Sequence, residues 1–190
     1  MKNLVVPTPR GAIQRIFSAS ASRPLGNFAS KEDPFNLGRD FGAINIDIMT
    51  FDEQLGVDLT KIPNFVCASV YDLPFEDNHF GAGVIGDYLE HCYFEPAAKM
   101  LTELRRVIKP GGPLLLTFPL DPRPKEEQHP NPACLFELDE PGTFSYHVKV
   151  WDTFELNRLF GDTSWDCEGV VELEYGNICP GRAVFLRRPA

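Results

Sequence analysis

A chain of 190 residues with 43% hydrophobic and 24% charged side chains has the composition of one soluble domain, large enough to bury roughly 70% of the surface its unfolded form exposes. Its net charge of -9 argues against a nucleic-acid partner, which needs clustered Lys and Arg, and no apolar run approaches the roughly 20 residues that would span a membrane. Five cysteines (Cys67, Cys92, Cys134, Cys167, Cys179) form no CxxC pair, so no metal site and no disulfide framework are expected, and a reduced, cytoplasmic setting is the simplest reading.

Residues 1 to 30 contain Lys2, Arg10, Arg15 and Arg23 and no acid, leaving 14 basic against 27 acidic residues in the rest of the chain. This N-terminal cap segment reads either as an organelle-targeting peptide or, through "GAIQRIF", as an amphipathic helix closing over a site. Further on, "FNLGRDFGAINIDI", residues 35 to 48, puts Gly38 where a nucleotide-binding turn wants a glycine and Asp47 at the end of an apolar run. Only six residues separate Leu37 from Ile44, whereas a parallel crossover needs about a dozen. Either the two segments do not pair as adjacent parallel strands, or the first is reduced to a turn; in both cases the first βα unit is abbreviated.

The runs "AINIDI", "NFVCASV", "FGAGVIGDYL" and "PLLLTFP" lack polar alternation and predict strands covered on both faces, interleaved with helices in an α/β fold. The best-defined helix is "EPAAKMLTELRRVIKPGG", with Pro96 in its first turn, Ala97, Leu101, Leu104 and Ile108 on one face, and Pro110, Gly111 and Gly112 ending it. Residues 119 to 142 hold Pro119, Pro122, Pro124, Pro130, Pro132 and Pro141 and form a long loop, either a lid or a solvated surface segment. "VWDTFELNRLF" predicts a helix of about ten residues, and "VVELEYG" with "GRAVFLRR" a terminal antiparallel pair. No repeat divides the chain, so residues 1 to 190 read as a single domain.

The stretch "LPFEDNHFGAGVIGDYLEHCYFEPAAKMLTELRRVIKPGGPLLLTFP", residues 73 to 119, resembles the class I S-adenosylmethionine (SAM) dependent methyltransferases. It is similar to the branch with an "LPF" turn, "LEH" after the fourth strand and "RVLKPGG" before the fifth. "NLG" and "INIDI" carry the resemblance back to residue 36, with a shortened, degenerate glycine motif. The resemblance implies a Rossmann-like, mostly parallel sheet of about seven strands with helices on both faces. SAM would lie above the carboxyl ends of the middle strands, and a small organic molecule would be the acceptor.

Carried over residue by residue, the cofactor site would be bordered by Gly38 at the end of the first strand, Asp47 at the end of the second and Asp87 at the end of the fourth. Asp47 takes the family's ribose-binding role, and Ser69 falls where relatives have the acid that holds the adenine amine. Asp87 and His91, four apart after an apolar strand, are candidate catalytic groups; His129 and His147 flank the lid and are further candidates for the base. Each has a plainer reading: Gly38 as a turn glycine, Asp47 as a cap, "LEH" as the cap of the next helix, and the loop histidines as solvated residues.

Function stays open between three classes. One is a methyltransferase acting on a small molecule; the second is a fold that no longer methylates and catalyses a cyclisation or rearrangement; the third is a non-catalytic partner subunit in a homo- or hetero-oligomer.

Overall fold

The computed structural model describes residues 9–20, 22–30, 36–52, 56–120, 148–175 and 179–190. In chain order these contain α1 (Pro9–Ala19), β1 (Leu25–Phe28), α2 (Leu37–Phe41), β2 (Ile44–Asp47), a small hairpin of β3 (Phe51–Asp52) and β4 (Val57–Asp58), and β5 (Phe65–Cys67). Then follow β6 (Ala82–Gly86), α3 (Phe94–Val107), β7 (Pro113–Pro119), α4 (Thr153–Asp162), β8 (Asp166–Tyr175) and β9 (Cys179–Arg187). The main sheet has seven strands in the order β5-β2-β1-β6-β7-β9-β8. All pairs from β5 to β7 are parallel, and β9 runs antiparallel to both its neighbours, as the alternation of the last two runs predicted.

Local chemistry accounts for the well-predicted elements. In α3, Ala97, Met100, Leu101, Leu104 and Val107 recur at helical spacing and are all buried. Asp152 caps α4, its carboxylate accepting from the Glu155 N–H at 2.8 Å in a reciprocal capping box. Leu114 to Phe118 of β7 are buried along their whole length, because helices cover both faces there. On one face Phe28, Ile46, Ile85, Leu114 and Leu116 pack with α3 and α4; on the other Leu25, Val84, Leu115 and Ala183 pack with Ala12, Ile13, Ile16 and Phe17 of α1. "GAIQRIF" is therefore a helix whose apolar stripe is spent on the sheet. No helix among the described residues is long and apolar enough to cross a membrane.

The start of the sheet corrects the sequence reading. Gly38 does not end the first strand. That strand is Leu25–Phe28, inside the segment read as a cap, and Gly38 lies buried within α2 on the crossover to β2. The crossover spans residues 29 to 43, long enough for a parallel connection, and its helix is cut to five residues. "LGNF" is a poor strand by composition, but packing explains it: a Cβ on Gly26 would lie 2.4 Å from the Phe28 ring, and one on Gly83 2.7 Å from it. The two glycines make room for a ring that packs edge-on against Phe80, with centroids 5.2 Å apart.

Candidate functional site

The crossovers from β1 and from β6 leave in opposite directions along the sheet, so the loops at the carboxyl ends of these two neighbours diverge and open a crevice. Strand register sets what borders it. Phe28 is level with Ile46 and Ile85, Asp47 with Cys67, and Gly86 with Thr117. Ala29, Asp47, Gly86 and Thr117 thus form one tier, with Ser30 and Asp87 a step above. At an interstrand spacing of about 4.8 Å, Asp47 and Gly86 stand roughly 10 Å apart across β1.

Asp47 is 6% exposed, and its Oδ1 accepts from the Met49 N–H at 2.9 Å, which turns the chain sharply after β2. Directly after it Ile48, Met49 and Phe51 stand exposed, an apolar shelf beside a carboxylate. Ser69 lies two residues past β5; its Oγ accepts from the Tyr71 N–H at 3.1 Å, which leaves the hydroxyl proton to donate. The mouth of the crevice is shaped by two residues in the left-handed region, Ala29 (φ 51°) after β1 and Asp87 (φ 52°) after β6. Each conformation costs about 1 kcal/mol or more for a residue with a side chain, so both turns are imposed by the surrounding fold. The Asp87 N–H donates to Thr117 O at 2.7 Å, which fixes the second turn.

Beyond Asp87 the chain forms a 3₁₀ turn, Leu89–His91, and the His91 Nε2 lies 3.9 Å from Glu90 Oε1. Glu90 is 1% exposed, and its carbonyl accepts from both the Val148 and Lys149 N–H groups. The Trp151 indole N–H donates to Leu89 O at 2.8 Å, and its ring is buried in the core. Lys149 pairs with Glu155, and the segment from 148 to 155 is strapped onto the "LEH" turn.

The fold thus brings Asp47, Ser69, Asp87 and His91 to one edge of the sheet and leaves Gly38 out of it. His129 and His147 lie outside the described residues. Arg39 and Phe41, which a shortened loop would push into the crevice, are elsewhere: Arg39 bonds Asp40 on the exposed side of α2, and the Phe41 ring packs edge-on against Phe17. Sequence reasoning missed Ala29, Glu90 and Thr117. Glu90 sat between two singled-out positions and carried a signal; Ala29 and Thr117 became visible only through backbone angle and register. Among the described residues no group of three or more His, Cys, Asp or Glu side chains is arranged to hold a metal ion.

A methyltransferase-domain family model matches residues 44–116, which contain Asp47, Ser69, Asp87 and His91. A SAM-dependent methyltransferase from Methanosarcina mazei superposes with a TM-score of 0.64 at 17% identity, covering 87% of this chain and 92% of that one. The chain therefore has the fold of the class I SAM-dependent methyltransferases. The same fold is shared with the 4+2 cyclase SpnF, at a TM-score of 0.66 and 13% identity over 95% of this chain and 80% of that one. In sequence, an uncharacterised protein of Methanocaldococcus jannaschii is 34% identical over 83 residues, 43% of this chain. The chain spans about a third of the length of that relative.

The superfamily's cofactor can be tested against the residues present. At the adenosyl end the donor set fits: a buried carboxylate to accept two hydroxyls, apolar side chains to flank a base and a serine hydroxyl to meet its polar edge. At the other end the turn after β1 begins Ala29-Ser30 with no glycine, and Ala29 holds a left-handed backbone that glycine adopts without strain.

Proposed function

We propose that this chain is a SAM-dependent methyltransferase acting on a small organic molecule. The observation that carries the reading is Asp47, a buried carboxylate at the carboxyl end of β2, one strand from the switch point, with apolar Ile48 and Met49 exposed beside it. When bound, SAM supplies a methyl group made electrophilic by the sulfonium charge. Asp47 takes the ribose hydroxyls, Ile48 and Met49 flank the adenine, and Ser69 bonds its polar edge. Asp87 and His91 are the groups on hand to take a proton from the acceptor, and the Glu90 carboxylate, 3.9 Å from the imidazole, favours its protonated form once the proton has moved. The protein's contribution is then chiefly to hold donor and acceptor aligned, and the net charge of -9 favours a cationic cofactor.

Titration calorimetry with SAM and with S-adenosylhomocysteine tests this directly. Saturable binding below about 1 mM is expected, weakened about tenfold or more by Asp47→Ala. No detectable heat from the intact protein at millimolar ligand overturns the proposal.

A second reading is favoured by one observation, the glycine-free Ala29-Ser30 turn in a fold that also serves a cyclase. On that reading the crevice shapes a substrate for rearrangement. Turnover without added SAM, unchanged in Asp47→Ala, would select it.

A further inference from the structure

Next to His91 the surface turns apolar. Cys92 holds extended backbone (φ -119°, ψ 145°), so His91 and Tyr93 on either side of it project the same way, while Cys92 itself is buried. Tyr93 stands about half exposed there. The strap fastened to Glu90 O brings up Val150, also about half exposed, and Phe154, 77% exposed in the first turn of α4. The Trp151 and Phe94 ring centroids are 6.2 Å apart, and the Arg158 guanidinium, one turn beyond Phe154, lies 4.5 Å from the centre of the Phe94 ring. This face of α4 therefore meets the start of α3, and Tyr93, Val150 and Phe154 form one wall beside His91.

The helix does not need the exposed ring. α4 is held by its capping box and by Trp151 and Leu156 on its buried side, and Phe154 adds to neither. Three side chains of this size expose a few hundred Å² at most, well short of the roughly 800 Å² that each partner gives to a standard protein interface, so the wall suits a small molecule and not a second copy of the chain. Charge narrows the choice further. Segments 87–95 and 148–162, which build the wall, carry six acids (Asp87, Glu90, Glu95, Asp152, Glu155 and Asp162) and two cations. Both cations are engaged, Lys149 with Glu155 and Arg158 with Asp162. An anion would enter a negative field, whereas a cation would be drawn by that field and by the aromatic faces.

We propose that Tyr93, Val150 and Phe154 are the acceptor wall of this site, and that the acceptor is a largely apolar molecule without negative charge, an amine or an uncharged aromatic and not a carboxylate or phosphate. The assignment rests on the reading of the crevice as a SAM site. It puts the apolar body of the acceptor against the wall, with its reactive group toward His91.

Three naphthalene probes of similar shape and different charge test it: 2-naphthylmethylamine, 2-naphthol and naphthalene-2-sulfonate, each titrated calorimetrically into the full chain with S-adenosylhomocysteine present. The amine and the naphthol should bind with Kd below about 1 mM, and the sulfonate about tenfold or more weakly than either. Phe154→Ser, at a solvated position, should weaken the amine and the naphthol about fivefold, while S-adenosylhomocysteine affinity and the melting temperature stay those of the parent; Phe154→Tyr restores binding. Sulfonate binding as tight as that of the amine overturns the assignment. Unchanged amine and naphthol affinities in Phe154→Ser overturn it too, as does a parent dimer in sedimentation velocity that Phe154→Ser dissociates. A parent that binds S-adenosylhomocysteine and none of the three probes overturns the wall and leaves the methyltransferase reading intact. If the parent does not bind S-adenosylhomocysteine, that reading falls and the wall with it.

Discussion

The two halves of the sheet are built differently. To one side of the switch point, β1, β2 and β5 are three or four residues long, and among the described residues the connections between them hold a five-residue helix, a hairpin of two-residue strands and a 3₁₀ turn. To the other side, β6, β7, β9 and β8 run from 5 to 10 residues, backed by α3 of 14 residues and α4 of 10. The lean half buries Asn27, Ser30, Asn45, Asp47 and Asp52, while the full half buries Glu90, Thr117 and Thr163 among a much larger set of leucine, valine and phenylalanine side chains. The contrast teaches that the packing is concentrated in one half, while the crevice draws its polar groups from both, Asp47 and Ser69 from the lean half and Asp87 and His91 from the full one. A site placed on short strands carries little packing of its own and leans on the neighbouring core.

Substitutions can break this contrast or sharpen it. The largest effect is expected in the full half. Leu101→Ala, in the fully buried stripe of α3, should cost about 2 to 5 kcal/mol in denaturant unfolding, because little nearby can relax into the cavity. In the lean half, Asn45→Ala removes the acceptor of the Asn27 amide at 2.8 Å and the donor to Pro63 O at 2.8 Å. There the loss should be about 1 to 3 kcal/mol, read in the same experiment. If Asn45→Ala proves as damaging as Leu101→Ala, the division of labour between the halves is wrong.

Ala29→Gly tests whether the crevice mouth is strained. Relief of the left-handed penalty outweighs the extra freedom of the unfolded chain, for a gain of up to about 1 kcal/mol and a higher melting temperature. A loss would mean that the turn is held without strain.

The smallest effect concerns the "LPF" turn, clamped from α3. Burial pushes the Glu103 carboxyl up, but its bonds to Arg106 and to the Leu73 N–H outweigh this and hold it below its ordinary value of 4.5. A carboxyl depressed in the folded state stabilises it above that ordinary value, and the contribution is lost as pH falls through the depressed one. Unfolding titrations below about pH 4.5 should therefore show an acid limb that Glu103→Gln flattens. An unchanged limb would remove Glu103 from the account.

Legibility in the sequence followed the same division. The full half was readable because its elements obey local rules: helical spacing in α3, a capping box on α4, an unbroken apolar run in β7 and alternation in the last two strands. In the lean half β2, β5 and their acid Asp47 were readable, while β1 was not. "LGNF" carries glycine and asparagine, which strands avoid, and "FNLG" nearby looked more like a glycine-containing strand end. The decisive fact was the fit of the Phe28 ring over Gly26 and Gly83, and Gly83 lies 57 positions further along the chain than Gly26.

By itself the sequence determined the α/β class, most of the elements, the resemblance to SAM-dependent methyltransferases and the acid at the end of β2, since each rests on residues close together in the chain. Only the tertiary structure decided which segment became the first strand, and that Gly38 stays clear of the crevice. The same is true of the placing of Gly86 level with Thr117. Those outcomes depend on strand register and on side chains meeting across the sheet, where contact is made between residues that no local pattern links.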